Sequence, residues 1–217
     1  MNRCIGLGVV ALMVVACRAP VRPAVQASTP TSVEELAAAI AEYARRSDHE
    51  SDSKTRDRLA TDAGRHSDAC IARAPQAAAC LYYRGVALGL EVRAHPTRAG
   101  DLLKSMLDAL TQADAADPEI DQAGPARVRA LVLMRAPGWP LGPGDAVAGL
   151  DAARRAVTLR PYYPPNVLAL AEALAKTGDT SGARDNYGRA RDLAQALPST
   201  ADRDEWLREA DQALRGK

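Results

Sequence analysis

Two segments near the carboxyl end of the chain match each other at an offset of 34 residues. The segment GLDAARRAVTLRP (149–161) aligns with ARDNYGRARDLAQ (183–195), so that Ala153 matches Tyr187 and Ala156 matches Ala190. An offset of 34 residues is the period of the tetratricopeptide repeat (TPR), a pair of antiparallel helices. Since one pair cannot bury its apolar face alone, the pattern predicts a stack of such pairs.

The segment between these two matching helices carries the packing residues of a first repeat helix. Gly178 and Asp179 follow it, which predicts a turn and a second helix from about Thr180. A small residue is needed where two helices cross, because only then can their backbones approach closely. The predicted packing positions are Val167, Leu170, Ala171 and Leu174.

The amino-terminal half shows looser versions of the same pattern. A small residue followed five positions later by proline recurs at Cys70–Pro75, Ala113–Pro118 and Ala156–Pro161. Each proline is predicted to stop a second helix, because proline cannot continue the helical hydrogen bonding. Ser32 and Glu35 form a capping-box pattern, which predicts that a helix begins there.

The composition favours the same architecture. Hydrophobic residues make up 47% of the chain but aromatic residues only 4%, with no Phe. Much of the apolar fraction is alanine, the best helix former. We therefore expect an all-α, TPR-like α-solenoid over residues 33–217, with about eight or nine helices in antiparallel pairs. Trp206 and Leu207 are predicted to face inward from a last, capping helix.

The first 17 residues, MNRCIGLGVVALMVVAC, have the features of a bacterial lipoprotein signal peptide. The apolar run from Ile5 to Ala16 is too short to span a bilayer. Its end resembles a lipobox, which predicts removal of residues 1–16 and lipidation of Cys17. The alternative is a plain secretory signal that is cut elsewhere.

Residues 17–32 are rich in proline and alanine and show no helical periodicity. They are predicted to form a flexible tether between the membrane and the helical domain. We expect the protein to be lipid-anchored in the cell envelope and to face the periplasm. Arg18 favours the outer over the inner membrane, by resemblance to known lipoprotein sorting signals.

Cys70 and Cys80 remain after the signal peptide, in a compartment where disulfides persist. Pro75 lies between them, at the predicted turn between two antiparallel helices. This placement favours a disulfide, and the alternative is a pair of buried free thiols. The spacing differs from C-x-x-C, which argues against a redox-active pair.

Charge and motifs exclude several classes of function. The chain has 28 basic and 27 acidic residues, so it lacks the basic excess expected of a nucleic-acid binder. No nucleotide-binding, hydrolase or metalloprotease motif is present. The segment SDHESD (47–52) could hold a cation, but a solvated loop explains it better. We expect no enzymatic activity, cofactor or metal.

The segment RAPGWPLGPGD (135–145) holds three prolines, three glycines and one of the two tryptophans. Its prolines fix φ, so a slack connector is the weakest interpretation. Two interpretations stay open: a surface that binds a partner or ligand, or a packing device in which Trp139 plugs a gap between helices. In either case Asp145 is predicted to cap the next helix.

The region from Gly124 to Arg184 resembles the T-component family of TRAP transporters, which are TPR-containing bacterial lipoproteins. The resemblance rests on the loop motif and on a second motif after the next helix. The loop residues are Pro137, Gly138, Trp139, Pro140, Gly144 and Asp145, and those of the second motif are Tyr162, Pro164 and Asn166.

This resemblance implies a non-enzymatic accessory to TRAP-type solute uptake. Its partner would be a periplasmic solute-binding protein, its ligand a small apolar molecule, and some members form homo-oligomers. The alternative is a general TPR adaptor in cell-envelope assembly, binding another envelope protein. On either function the candidate contact residues are Arg135, Pro137, Trp139, Asp145, Tyr162 and Asn166. For Tyr162 the alternative is packing in the turn between helices, and for Asn166 it is capping or bridging the following helix.

Overall fold

The computed structural model describes residues 32–216, and within that range the chain forms nine α-helices and no strand. The expectation of an all-α fold with eight or nine helices is confirmed. A short 3-10 turn (Pro96–Arg98) joins the third and fourth helices. The helices are α1 (Val33–Asp48), α2 (Ser53–Arg73), α3 (Ala78–Ala94), α4 (Ala99–Ala116), α5 (Ile120–Arg135), α6 (Ala146–Leu159), α7 (Pro164–Lys176), α8 (Thr180–Gln195) and α9 (Ala201–Arg215).

Local sequence determines several helix starts. At α1, Ser32 Oγ accepts from the Glu35 amide at 3.1 Å, and Glu35 Oε2 accepts from the Ser32 amide at 3.0 Å. This reciprocal pair is the capping box that the sequence predicts. At α8, Asp179 accepts from the amide of Gly182 at 2.8 Å, and Gly178 adopts a φ of 93° in the turn before it.

Helices α2, α4 and α6, each the second helix of a pair, end in the same way. The residue before each proline donates its amide to the small residue four positions earlier, at 2.9, 2.9 and 3.0 Å. Each donor lies outside the helical region, with φ values of −146°, −154° and −136°, as expected for a residue that precedes proline. The three small residues are fully buried: Cys70, Ala113 and Ala156.

Consecutive helices pack as antiparallel pairs, and small residues let them approach closely. A Cβ at Gly85 of α3 would lie 2.9 Å from the Leu110 side chain of α4. A Cβ at Gly149 of α6 would lie 2.7 Å from Met134 Cε of α5. Larger residues at these positions would force the paired helices apart.

The odd-numbered helices contact one another in series, whereas the even-numbered helices of residues 32–216 do not. The odd-numbered helices therefore form the inner layer of the stack, and the even-numbered helices form its outer layer. The last helix, α9, packs mainly on α8 and more weakly on α7. Its Trp206 is half-buried and packs against Val167 and Leu168 of α7.

Cys70 of α2 and Cys80 of α3 form a disulfide, with their Cα atoms 5.3 Å apart. Both cysteines are fully buried beside Leu36 of α1. The bond therefore fastens the first helix pair to the second inside an apolar cluster. The predicted lipobox, the lipidation site Cys17 and nearly all of the predicted tether (17–32) lie outside the described residues.

Candidate functional site

The loop between α5 and α6 is closed by its own backbone hydrogen bonds. The Gly144 amide donates to the carbonyl of Pro137 at 2.8 Å, and the Leu141 amide donates to that of Gly138 at 3.0 Å. The Asp145 amide donates to the carbonyl of Leu133 at 3.0 Å, which ties the end of the loop back to α5. The loop therefore has a defined backbone conformation and is not a flexible connector.

Two glycines make this shape possible. A Cβ at Gly142 would lie 2.7 Å from the carbonyl oxygen of Pro137, and a Cβ at Gly144 would overlap the carbonyl oxygen of Ala136. Any side chain at these positions would push the two arms of the loop apart. The peptide bond between Trp139 and Pro140 is cis.

The closed loop presents its large apolar side chains to solvent. Trp139 is 89% exposed and Leu141 is 81% exposed, and Val147 in the first turn of α6 is 71% exposed. The interpretation of Trp139 as a plug between helices is therefore wrong, because the loop uses its backbone to close and points the indole outward. The predicted cap is confirmed, since Asp145 Oδ1 accepts from the amides of Val147 and Ala148 at 3.0 Å.

The other residues predicted as contacts lie in two different environments. Pro137 and Tyr162 are on the surface, with Tyr162 78% exposed in the turn between α6 and α7. Arg135 is exposed at the end of α5 and donates to both carboxylate oxygens of Glu172, at 2.8 and 2.6 Å. These three can meet a partner directly.

Asn166 requires a correction, because its side chain is fully buried and cannot contact a partner in this structure. Its Nδ2 donates to the carbonyl of Gln122 at 2.9 Å and to those of Ala156 and Arg160 at 3.2 Å. Its Oδ1 accepts from Arg127 Nη1 at 3.1 Å. Asn166 therefore joins α7 to the end of α6 and to the start of α5.

The start of α5 contains a short left-handed segment that the helical pattern does not predict. Asp121, Gln122 and Ala123 have φ values of 48°, 58° and 63°, a region that residues other than glycine rarely occupy. The following Gly124 packs against the ring of Tyr82, where a Cβ would lie 2.6 Å away. The Gly-Pro pair at 124–125 is the sequence feature that could have indicated this segment, because the dipeptide marks a break in regular structure.

A buried arginine holds the left-handed segment in place. Arg127 Nη1 donates to the carbonyls of Asp121 and Gln122 at 3.1 and 3.2 Å, and Nη2 donates to Asp121 Oδ2 at 2.7 Å. The Tyr82 hydroxyl donates to the same Oδ2 at 2.5 Å. Burial raises the pKa of Tyr82 well above its ordinary value, and the Asp121 charge adds to this rise. Tyr82 therefore stays a proton donor.

A concave groove lies beside this cluster on the inner layer of the stack. Its volume is about 360 Å³, and α1, α5, α7 and α9 contribute to its wall. One face of α9 supplies four of the lining residues, at positions with helical spacing. The groove is lined mainly by charged and aromatic side chains: Asp48, Arg127, Arg135, Tyr163, Asp202, Glu205, Trp206 and Glu209.

The aromatic side chains of the groove form a small cluster around Arg127. The rings of Tyr163 and Trp206 meet edge to face, with centroids 5.7 Å apart. The guanidinium carbon of Arg127 lies 5.2 Å from the Tyr163 centroid, within the range of a cation–π contact. The groove could not be found from sequence patterns, because it is assembled from helices far apart along the chain.

The described residues give no sign of a metal centre, since no group of three or more His, Cys, Asp or Glu side chains within 32–216 could hold an ion. In the same range, no helix is both long and apolar enough to cross a membrane. Comparison of the chain with models of known protein families gives no match, and neither does a search of curated proteins. The exposed loop and the groove are two surfaces of the described residues that a partner could contact.

Proposed function

We propose that the protein is a non-enzymatic helical scaffold that binds a partner protein through the loop between α5 and α6. The single observation that carries this proposal is the exposure of Trp139 and Leu141 on a loop whose backbone is already fixed. Tryptophan is among the residues that contribute most to protein interfaces when it enters a pocket on the partner. Since the loop is closed before binding, little conformational entropy is lost on association.

The resemblance to T components specifies the biological setting of this proposal. The scaffold would be lipid-anchored through Cys17, face the periplasm and assist TRAP-type uptake, and its partner would be a solute-binding protein. The lipobox-like sequence and the loop motif support this assignment. The groove gives no support to the small apolar ligand of that family, because its wall is largely charged.

A pull-down from detergent-solubilised envelope tests the proposal, with the lipidated protein as bait. We expect the wild-type protein to recover a solute-binding protein and the Trp139→Ala variant to lose it. The melting temperature should hold, since the indole makes few contacts with the fold. Leu197→Ala is the control, because it removes an exposed apolar residue from the turn between α8 and α9, which is not among the candidate contacts.

Two results would contradict the proposal. Partner recovery that is unchanged in Trp139→Ala and Leu141→Ala would show that the loop apex is not the interface. A fall in both recovery and melting temperature would show that Trp139 stabilises the fold.

The second candidate function is a general TPR adaptor in envelope assembly. The charged wall of the groove favours it, because polar side chains suit the recognition of an extended peptide segment. The same pull-down separates the two functions. Recovery of assembly machinery without a solute-binding protein would favour the adaptor.

A further inference from the structure

The carboxylates that α9 presents to the groove are unpaired. Asp202, Glu205 and Glu209 line the groove, and no hydrogen bond or ion pair joins their side chains to another of the described residues. The fourth carboxylate of the groove lining does have a partner. Asp48, across the groove on α1, accepts from Arg93 at 2.6 Å.

The two arginines of the groove are already engaged. Arg127 is bonded to Asp121, and Arg135 forms two hydrogen bonds with Glu172 on α7. Neither is therefore available to neutralise the α9 carboxylates through a direct bond. The groove keeps an excess of negative charge along the α9 face.

The groove also contains an aromatic surface that already holds one cation. The Arg127 guanidinium lies against the Tyr163 ring, and the Trp206 ring stands nearly perpendicular to that ring, at 74°. Trp206 lies between Glu205 and Glu209 on the groove face of α9. A planar cation entering here would meet aromatic rings and carboxylates together, and guanidinium groups both stack on aromatic rings and pair with carboxylates.

We propose that the groove binds an arginine side chain on an extended segment of a partner protein. This inference rests on the proposed role as a partner-binding scaffold, but it assigns a second contact surface, distinct from the loop. A volume of about 360 Å³ suits one long side chain and its neighbouring backbone. A bare metal ion does not fit the described residues, which lack a cluster of ligands for it.

The protonation behaviour of Glu209 is consistent with this assignment. Desolvation by the groove raises the pKa of its carboxyl group, and the nearby charges of Glu172 and Glu205 add to this rise. Arg135 opposes it but is bonded to Glu172. An added cation would stabilise the ionised carboxylate that the groove itself disfavours.

The protein's two tryptophans allow a direct test with the full chain. In a Trp139→Phe background, Trp206 is the only tryptophan and its fluorescence reports on the groove. The probe is the capped peptide acetyl-Gly-Ala-Arg-Ala-Gly-amide, compared with the same peptide carrying glutamate in place of arginine. We expect a saturable change in Trp206 emission with the arginine peptide only, weakened by added NaCl.

Paired variants connect that signal to the α9 carboxylates. The double variant Glu205→Gln, Glu209→Gln should bind the arginine peptide at least tenfold more weakly. Asp211→Asn is the matched control, because it removes one charge from the same helix outside the groove lining, and it should bind as the parent does.

Four outcomes would overturn the proposal. The first three are the absence of a saturable change in Trp206 emission, equal binding of the arginine and glutamate peptides, and undiminished binding of the arginine peptide by the double variant. The fourth is tighter binding of the arginine peptide by the variant Arg18→Ser, Arg22→Ser. That result would show that the predicted tether, residues 17–32, occupies the groove. None of these results depends on the pull-down, so failure here and failure of the loop interface are separate findings.

Discussion

The guanidinium of Arg127 donates a hydrogen bond to Oδ1 of Asn166 at 3.1 Å, and both side chains are buried. The bond joins α5 to α7, which belong to different helix pairs. Through its amide nitrogen, Asn166 also bonds to the carbonyls of Ala156 and Arg160, where α6 ends. One side chain therefore holds three helices in register.

Replacing Asn166 with alanine should destabilise the protein by about 2–3 kcal/mol, because several buried polar groups would lose their partner. Urea unfolding followed by circular dichroism measures this loss. Tyr162→Ala, four positions earlier and 78% exposed, is the control and should change stability by less than about 0.5 kcal/mol. Equal effects of the two substitutions would contradict the role assigned to Asn166.

Gln122 offers a test of the left-handed segment at the start of α5. Its φ of 58° is unfavourable for a residue with a Cβ, so Gln122→Gly should stabilise the fold by up to about 1 kcal/mol. At Ala38, an exposed position within α1, glycine should instead cost about 1 kcal/mol. Thermal unfolding of both variants gives the direction of each change in stability. A loss of stability in both variants would contradict a strained backbone at Gln122.

Removing the disulfide should lower the free energy of unfolding by about 2–3 kcal/mol, because the bond closes a short loop in the unfolded chain. The suitable variant is Cys70→Ala, Cys80→Ala, since alanine already occupies the positions equivalent to Cys70, at Ala113 and Ala156. Chemical unfolding with and without a reductant measures the effect. A reductant should destabilise the wild type and leave the double variant unchanged.

The raised pKa of Glu209 makes its contribution to stability depend on pH. Its folded-state pKa lies above the ordinary value of 4.5, so the folded protein holds this proton more tightly than the unfolded chain does. Stability from this group is therefore fully present below pH 4.5 and is lost as the pH rises through the folded-state value. The charged and titratable groups around it are Glu205 on α9, Arg135 on α5, Glu172 on α7 and Tyr187 on α8.

Glu209→Gln should consequently melt at a higher temperature than the wild type at pH 8, with the difference shrinking towards pH 4. Melting curves of both proteins across this range give the measurement. A difference that does not vary with pH would contradict the assignment. Asp211→Asn again serves as the control on the same helix.

Gly144 tests whether the loop must close tightly. Gly144→Ala should cost about 1–3 kcal/mol, because the added methyl group overlaps the carbonyl oxygen of Ala136. At Gly64, in the middle of α2, a Cβ would meet no atom within 4 Å, so the same change should gain about 1 kcal/mol. Denaturant unfolding of both variants would reveal opposite signs. The same sign for both would contradict the tight closure.

Features set by neighbouring residues could be predicted from the sequence. The ends of α2, α4 and α6 follow from prolines, and the start of α6 follows from the Asp145 cap. These features depend on a few bonds within one turn, so local sequence is enough to specify them.

Features that depend on distant parts of the chain were not predictable in the same way. The burial of Asn166 depends on a carbonyl 44 residues earlier, at Gln122. The outward position of Trp139 depends on how the loop closes its own backbone, which no periodicity reveals. The groove acids of α9 could not be identified either, because the sequence of a single helix does not show which neighbouring helices face it.

The three matching helix ends recur every 43 residues, and the first of them carries Cys70 where the later two carry alanine. A buried position that holds a small residue in all three units thus carries a covalent bond to the next helix in one unit only. In a linear stack each unit is held only by its neighbours, so opening starts where the fastening is weakest. The disulfide therefore makes the two ends of the stack unequal, and we expect fraying to begin at the carboxyl end and α2 and α3 to be the last helices to separate.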